Sequence, residues 1–446
     1  MNAFKAYDIR GIYNQDFTAD DVYKIGFFLP ALLRTDRVLV GRDVRESTEE
    51  IFLALCRGVN DAGADVFDMG LATTPMVYFA TAHFKFDASV QITASHNPKE
   101  YNGLKVSKTN ALPVGYYSGL ADLEKMLTTE TVRPSQTRGR IESIDVKTEY
   151  LKFLKKYVPD DADELKISVD CSNGMAALFI RDLLGDTPYY LFDTLDGSFP
   201  NHAPNPLEEE NVADLKAAVL KNNSDLGIIF DGDADRVMFV DEKGSFIPPD
   251  LIIGVLGRYF LSKEKGNVLQ DIRTSRSVSE YIEKMGGTPH TWKVGHAFAK
   301  LKMREIKAIF GGELAGHYYF RDFYNCDSGI LAALLVLRVA LEWKRSGEVF
   351  SSLIQQIVTY ANSGEINFRI EEKQAAMEAL KEYFTSRQLP SKLLDFDGYR
   401  IEYPDWWFNV RPSNTEPYLR LVVEARSQAL LDSRVREIRE VLENFE

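Results

Sequence analysis

The stretch Phe86-Asp87-Ala88-Ser89-Val90-Gln91-Ile92-Thr93-Ala94-Ser95-His96-Asn97-Pro98 reads as a strand that runs into a turn. Ala88, Val90 and Ile92 alternate with Asp87, Ser89 and Gln91, the two-residue period of a β-strand. Asn97-Pro98 is a turn signal that ends it. Ser95 is therefore expected on a tight loop at a strand's carboxyl end, where ligands collect in open α/β sheets. A hydroxyl there, with His96 beside it and Lys105 soon after, is a candidate nucleophile. The competing reading is a turn serine bonded to its own backbone.

Outward from this stretch, one pattern occurs three times. Residues 37–40, 47–62, 64–68, 74–83 and 86–93 alternate strand, helix, strand, helix, strand. So do residues 165–170, 174–184, 189–192, 212–222 and 226–230, and again 267–271, 277–285, 289–293, 296–304 and 308–310. Such alternation argues for parallel-rich βαβ units. The third strand of each copy leads into a polar loop. These loops hold Ser95, then Asp231-Gly232-Asp233-Ala234-Asp235-Arg236, then Gly311-Gly312-Glu313-Leu314-Ala315-Gly316-His317. The placement suggests three domains facing one cleft. Beyond residue 361 the pattern changes. Strands near 366–370, 399–403, 407–410 and 419–423 are flanked by helices over 371–384 and 428–442, which suggests a small α+β domain. Joints at 139–145, 241–249 and 361–365 divide the chain into 1–145, 146–247, 248–361 and 362–446. The expected class is α/β, with three similar βαβαβ-type domains of mixed sheets and a C-terminal α+β domain around a central cleft.

The 446 residues are 45% apolar and 27% charged, as expected of a folded soluble chain with several cores. The net charge of -13, without a basic run, argues against nucleic acid. An anionic substrate would then need cations supplied locally. Cys56, Cys171 and Cys326 form no CxxC pair, so neither a zinc knuckle nor a disulfide framework is suggested, and a reducing, cytoplasmic setting fits best. The first ten residues do not read as a signal peptide. The apolar run 329–337 stops at Arg338, too short for a bilayer, and reads as a buried helix.

Asp231, Asp233 and Asp235 stand at i, i+2 and i+4 and share one side if the backbone is extended. Two carboxylates about 4 Å apart repel by roughly 4 kcal/mol at an effective dielectric near 20. A divalent cation removes that cost, and hard oxygen ligands with an incomplete shell suit Mg²⁺. An EF-hand would put Arg236 where the sharp turn needs Gly; a solvated acidic turn is the other alternative. Arg411-Pro412-Ser413-Asn414-Thr415 offers a guanidinium, two hydroxyls, an amide and loop N–H groups, a suitable inventory for a phosphate; a polar turn with a structural Arg competes. Arg420 either assists there or lies on the strand face. Glu313 and His317 lie in a Gly-rich loop that lets the backbone approach a ligand closely, and a carboxylate there can accept from sugar hydroxyls. Lys293-Val294-Gly295-His296 is a weaker signal. Phe4 to Gly11, with Tyr7 and Arg10, either reaches the cleft or is a β-turn around Asp8 and Gly11. His83, His202 and His290 belong to no cluster.

Together Lys5-Ala6-Tyr7-Asp8-Ile9-Arg10-Gly11, Thr93 to Pro98, Asn102-Gly103-Leu104-Lys105, Asp231 to Arg236, Gly312 to His317 and Arg411 to Thr415 resemble the α-D-phosphohexomutase superfamily, in its phosphomannomutase/phosphoglucomutase branch. The likeness spans the whole chain in order. It implies four domains around a cleft and reversible interconversion of hexose 1-phosphates and 6-phosphates through a phosphoserine and a hexose 1,6-bisphosphate. Ser95 would be the phosphoryl carrier. One Mg²⁺ would sit between its phosphate and Asp231, Asp233 and Asp235. Arg236 would neighbour the transferring phosphate, and Glu313 would hold sugar hydroxyls. Arg411, Ser413, Asn414 and Thr415 would grip the idle phosphate, with Arg420 a further candidate for substrate contact. Tyr7, Arg10 and Lys293 would line the cleft, with Lys105, His296 and His317 available for proton transfer or substrate contact. The partners implied are phosphorylated hexoses, without nucleic acid or membrane, and a monomer or weak dimer. The sugar loop departs from the common Gly-Glu-x-Ser-Gly by Ala315, which leaves the sugar open, although His317 resembles the dual mannose/glucose group. Phosphoglucosamine mutase and a sugar-phosphate-binding pseudoenzyme are the alternatives.

Overall fold

In the computed structural model, which describes residues 2–413 and 418–445, the strand before Ser95 is Ala88–Ile92, buried at all five positions. The alternation of its side chains does not reflect a wet face. Ser89 is bonded by the Thr81 hydroxyl at 2.6 Å, and Gln91 Nε2 donates to the Ala72 carbonyl at 2.8 Å. Both faces are covered, and the polar residues survive there because each finds a partner.

Ala88–Ile92 lies between Arg37–Arg42, its parallel neighbour, and Tyr101–Lys108, its antiparallel one. The sheet runs outward to Asp65–Leu71 and Ile141–Ser143 on one side and to Ile9–Ile12 on the other, with Leu112–Pro113 beside Tyr101–Lys108. The second sheet is ordered Phe246–Ile247, Val237–Asp241, Leu226–Phe230, Ile167–Asp170, Tyr189–Leu191. The third is Thr288–Trp292, Asn267–Asp271, Phe310–Gly312, Tyr318–Phe320, Cys326–Asp327. In all three, parallel strands pass into an antiparallel return strand. The connection between the last parallel strand and that return strand is the polar loop read from the sequence. The sheets are thus mixed, as expected. The fourth, Ala361–Arg369, Tyr418–Ala425, Trp406–Pro412, Tyr399–Glu402 and Lys392–Leu394, is antiparallel throughout. Helices Lys373–Arg387 and Gln428–Leu442 pack against it.

The apolar run at 329–337 opens a buried helix, Gly329–Arg345. Arg338 donates to the carbonyls of Tyr157 at 2.7 Å and Val158 at 2.6 Å, riveting the helix to the second domain. None of the described helices is long and apolar enough to cross a membrane, and all three cysteines are free and buried.

Several local expectations are corrected. Each supposed joint carries a strand: Ile141–Ser143 pairs with Asp65–Leu71, Phe246–Ile247 folds back on Val237–Asp241, and Ala361–Arg369 pairs with Tyr418–Ala425. These are edge strands with one neighbour, so their polar composition resembles a linker's. Gly11 lies in Ile9–Ile12, not in a turn. The helix expected over 174–184 is broken into Met175–Leu178 and Ile180–Leu184.

Asp250, in the first turn of helix Pro249–Leu261, is buried and accepts from the Ser275 N–H at 2.9 Å. Burial, with Glu424 and Asp271 nearby, pushes its carboxyl up to about 7. The folded chain then holds a proton that the unfolded chain has released between about pH 4 and 7. Stability therefore falls as pH rises through that window, by about 4 kcal/mol in all. Asp250→Asn should flatten this fall, matching the parent near pH 4 and exceeding it at pH 8. Urea midpoints at the two pH values would check it; parallel losses in both proteins would contradict it.

Candidate active site

The parallel pairing of Arg37–Arg42 with Ala88–Ile92 sets their carboxyl ends side by side, and the Asp43 N–H donates to the Ile92 carbonyl at 2.9 Å. The Ser95 loop rises from that corner. Ser95 is buried, with φ of 52°, a left-handed backbone that a non-glycine residue adopts only when its surroundings hold it there. Its N–H donates to Thr93 Oγ1 at 2.9 Å, and its Oγ donates to Asp231 Oδ2 at 2.8 Å, across 136 positions of sequence. His96 Nδ1 lies 3.5 Å from the same oxygen. Burial, with Arg236, Arg10 and Lys105 nearby, holds the His96 imidazole well below its ordinary range.

Asp231, Asp233 and Asp235 are all fully buried, with ligand atoms within 4.8 Å of one another. They converge by a different route from the extended segment expected: residues 231–236 turn, with Ala234 at φ 59° and its N–H donating to the Asp231 carbonyl. The approach to Ser95 is close enough that a Cβ on Gly232 would stand 2.5 Å from the Ser95 carbonyl oxygen. Lys105 Nζ donates to Asp233 Oδ2 at 2.7 Å and Asp235 Oδ2 at 2.6 Å. Burial alone would lower its ammonium, but these carboxylates hold it above its ordinary value. Burial and the neighbouring Asp233 and Asp235 push the Asp231 carboxyl well up. Asp233 Oδ1 and Asp235 Oδ1 have no hydrogen-bond partner among the described residues. Three buried carboxylates facing one protein ammonium, with two oxygens unused, are a donor set that suits a divalent ion bound through oxygen. Asp233 also accepts from the Thr74 hydroxyl at 2.5 Å, at the start of helix Thr74–His83.

The third domain closes on the same turn. Residues 236 and 317 form a backbone bridge between the two domains. Arg236 Nε donates to His317 Nε2 at 3.0 Å and lies 3.9 Å from Asp231 Oδ2. An arginine can only donate, so the ring proton of His317 is on Nδ1, 2.6 Å from Asp327 Oδ2. Lys300, buried beneath, lies 2.8 Å from Asp327 Oδ1. Burial would raise the Asp327 carboxyl, but Lys300 and His317 hold it well below the usual range. His317 thus sits against the aspartate turn, 3.7 Å from Asp235. His296 stacks on His317 with ring centroids 5.8 Å apart. Burial, with Lys300 nearby, holds the His296 imidazole well below its ordinary range. Both oxygens of Glu313 are engaged, by the Gly295 N–H at 2.6 Å and the Tyr319 hydroxyl at 2.5 Å, and burial raises its carboxyl. Glu313 therefore fastens the 293–296 loop. Tyr7 reaches that loop from the first domain, donating to the Val294 carbonyl at 3.2 Å. Lys293 extends over Phe298 at 5.7 Å. Arg10 donates to Asn97 Oδ1 at 2.9 Å and pairs with Asp8 at 2.5 Å, on the edge of the Ser95 loop.

In the fourth domain Arg411 Nε donates to Asp397 Oδ1 at 3.3 Å, while Asp397 Oδ2 accepts from the Val294 N–H at 2.8 Å. The Ser413 N–H donates to the Tyr418 carbonyl at 2.8 Å, and Arg420 pairs with Glu365 at 3.1 Å. Asn414 and Thr415 lie outside the described residues. Sequence reasoning missed Thr74, Asp327, Lys300, Asp397 and the pair Asp43 and Arg45. All act by contacting residues distant in sequence. Only Asp43-Val44-Arg45, at the end of a strand, resembled the other loaded loops.

Four family models match the chain in order: phosphoglucomutase/phosphomannomutase alpha/beta/alpha domain I at residues 1–130, domain II at 148–244, domain III at 248–360 and the C-terminal domain at 365–441. The chain is 38% identical to the phosphomannomutase of Escherichia coli (strain K12), over 98% of each chain. The chain belongs to the phosphoglucomutase/phosphomannomutase family. A phosphomannomutase of Methanocaldococcus jannaschii is 37% identical over 99% of this chain and 98% of its own. The crystal structure of a phosphoglucomutase/phosphomannomutase family protein from Burkholderia thailandensis superposes with a TM-score of 0.88 at 30% identity, covering 99% of this chain and 97% of that one. Membership makes the chain a phosphohexomutase, an isomerase, and accounts for the four-domain order.

Proposed function

We propose that this phosphohexomutase carries a phosphoryl group on Ser95 Oγ and acts on mannose and glucose phosphates. The phosphoserine P–O bond breaks as the free sugar hydroxyl forms a new P–O bond and gives up its proton, Ser95 Oγ takes up a proton, and a hexose 1,6-bisphosphate results. After the bisphosphate turns round, its other phosphoryl group returns to Ser95. The observation that carries this reading is the Ser95 hydroxyl, 2.8 Å from Asp231 within a ring of buried charge. Phosphate monoesters demand accelerations up to about 10²¹, and charge neutralisation supplies most of what a protein can offer. Lys105 and Arg236 are placed to provide it. Mg²⁺ bound by Asp231, Asp233, Asp235 and the Ser95 phosphate would offset the phosphoryl charge.

His317, with its proton on Nδ1, presents Nε2 as an acceptor for the sugar hydroxyl proton once Arg236 turns to the phosphate. His296 is the second candidate for this transfer. Arg411, Ser413 and Arg420, with Asn414 and Thr415, hold the idle phosphate, so the domain at 362–446 reads either end of the bisphosphate. Tyr7, Arg10, Lys293 and Glu313 shape the sugar side. Boundaries near 145, 247 and 361, a cytoplasmic location and a monomer or weak dimer complete the reading. The phosphomannomutase relatives at 37–38% identity favour mannose over glucosamine, and the phosphoglucomutase/phosphomannomutase family models favour glucose beside it. A non-catalytic binder is disfavoured because Ser95 Oγ meets Asp231 and His96 within a cluster of buried charge.

The test is kcat/KM for mannose, glucose and glucosamine 1-phosphates, with the intact mass of the purified protein. The expected outcome is one phosphate on Ser95 and glucosamine 1-phosphate the poorest of the three. A preference for glucosamine 1-phosphate would overturn the sugar assignment, and the absence of phosphate after incubation with glucose 1,6-bisphosphate would overturn the carrier. Thr74→Val removes a hydroxyl that orients Asp233. Isothermal titration should show Mg²⁺ affinity about 10- to 100-fold weaker; unchanged affinity would contradict the ligand set.

A further inference from the structure

Arg45 lies 2% exposed beneath the Ser95 loop, and every N–H of its guanidinium is engaged. Nε donates to Asp43 Oδ2 at 3.1 Å. One terminal nitrogen donates to the carbonyls of Pro98 at 2.6 Å and Tyr101 at 3.0 Å, the other to those of Ser95 at 2.8 Å and Asn97 at 2.7 Å. Five donors are all a guanidinium has, so none is left for another acceptor. Asp43 completes the frame by accepting from Thr93 Oγ1 at 2.7 Å and Thr48 Oγ1 at 2.9 Å, and Thr93 Oγ1 in turn accepts the Ser95 N–H. Ser95 is thus held from both sides, its N–H through Thr93 and Asp43, its carbonyl directly by Arg45. The frame reaches the second domain as well. The guanidinium lies over the Phe199 ring at 5.0 Å, and a Cβ on Gly197 would stand 2.1 Å from the Val44 carbonyl oxygen.

We infer that Arg45 is a positioning residue for phosphoryl transfer, holding Ser95 in its left-handed conformation so that Oγ meets the aspartate turn at the distance transfer needs. The inference rests on the reading of Ser95 as the carrier. Left-handed backbone at a serine is strained and persists only where its surroundings impose it. Four carbonyls converging on one planar cation are such an imposition. Lysine keeps the charge but has three donors on one atom and cannot span four carbonyls.

The experiment mixes dephosphorylated wild-type and Arg45→Lys protein with glucose 1,6-bisphosphate and Mg²⁺ and follows the mass gain at Ser95 after rapid quenching. Arg45→Lys should take up phosphate about 10²-fold more slowly, with KM for mannose 1-phosphate within about threefold of wild type. Free guanidinium should restore part of the rate in Arg45→Ala without raising its melting temperature. Should Arg45→Ala not fold, the Arg45→Lys comparison decides alone. Equal phosphorylation rates would overturn the inference, as would an unrescued loss in Arg45→Ala that tracks its melting temperature. If wild-type protein itself takes no phosphate on Ser95, the carrier reading falls and this one with it; wild-type labelling with equal labelling of the variant sinks this one alone.

Discussion

Ser95→Ala is expected to lower mutase turnover by about 10⁴-fold or more, because it removes the hydroxyl that meets the aspartate turn and would carry the phosphoryl group. The nearest hydroxyl on the same loop, Thr93 Oγ1, is occupied on both sides, donating to Asp43 and accepting the Ser95 N–H. The substitution removes the hydrogen bond to Asp231 and the longer contact with His96, together about 2–3 kcal/mol, so the variant should fold. Its intact mass should show no phosphate after incubation with glucose 1,6-bisphosphate. Turnover within tenfold of wild type, with the mass unmodified, would mean that phosphate passes through some other group.

The second large effect is at Lys105. Lys105→Met keeps the stem but removes the ammonium that bonds both Asp233 and Asp235. Two buried carboxylates then lose their shared counter-ion, and breaking a buried pair in this way costs about 3–5 kcal/mol. Activity should fall about 10³-fold, as when one preorganised donor to a developing charge is lost. The two readouts separate through Mg²⁺: added ion should recover much of the stability, since it neutralises the same carboxylates, but not the rate. Recovery of both would show that Lys105 merely balances charge. A stability unchanged from wild type without Mg²⁺ would show that the aspartates protonate and need no cation.

The sites differed in how plainly they could be read. Ser95, Asp231, Asp233, Asp235 and Lys105 stand in short segments whose residue types already state a chemistry, and the structure brings all five into contact. The convergence of the aspartates has a cause the spacing did not suggest. Spacing i, i+2, i+4 implied an extended backbone, whereas the chain turns at Ala234 and delivers the carboxylates by curvature. Edge strands such as Ile141–Ser143 looked like joints, because a strand with one neighbour carries the composition of a loop. Asp250, by contrast, looks ordinary in sequence; only the elements packed over it shift its carboxyl.

The linear chain determined what was local: the alternation of strands and helices, the order of the four domains and the chemical inventory of each polar loop. Those follow from periodicity and residue type, which act over a few positions. Tertiary structure alone decided who meets whom. That Arg45 turns four donors on backbone carbonyls 50 or more residues away, that Thr74 steers Asp233, and that His317 presents Nε2 because its Nδ1 proton is held by Asp327 are consequences of strand ends placed side by side and of domains docked on one turn. Hydrogen bonds act through space within about 3 Å, and no spacing along a sequence encodes such a distance.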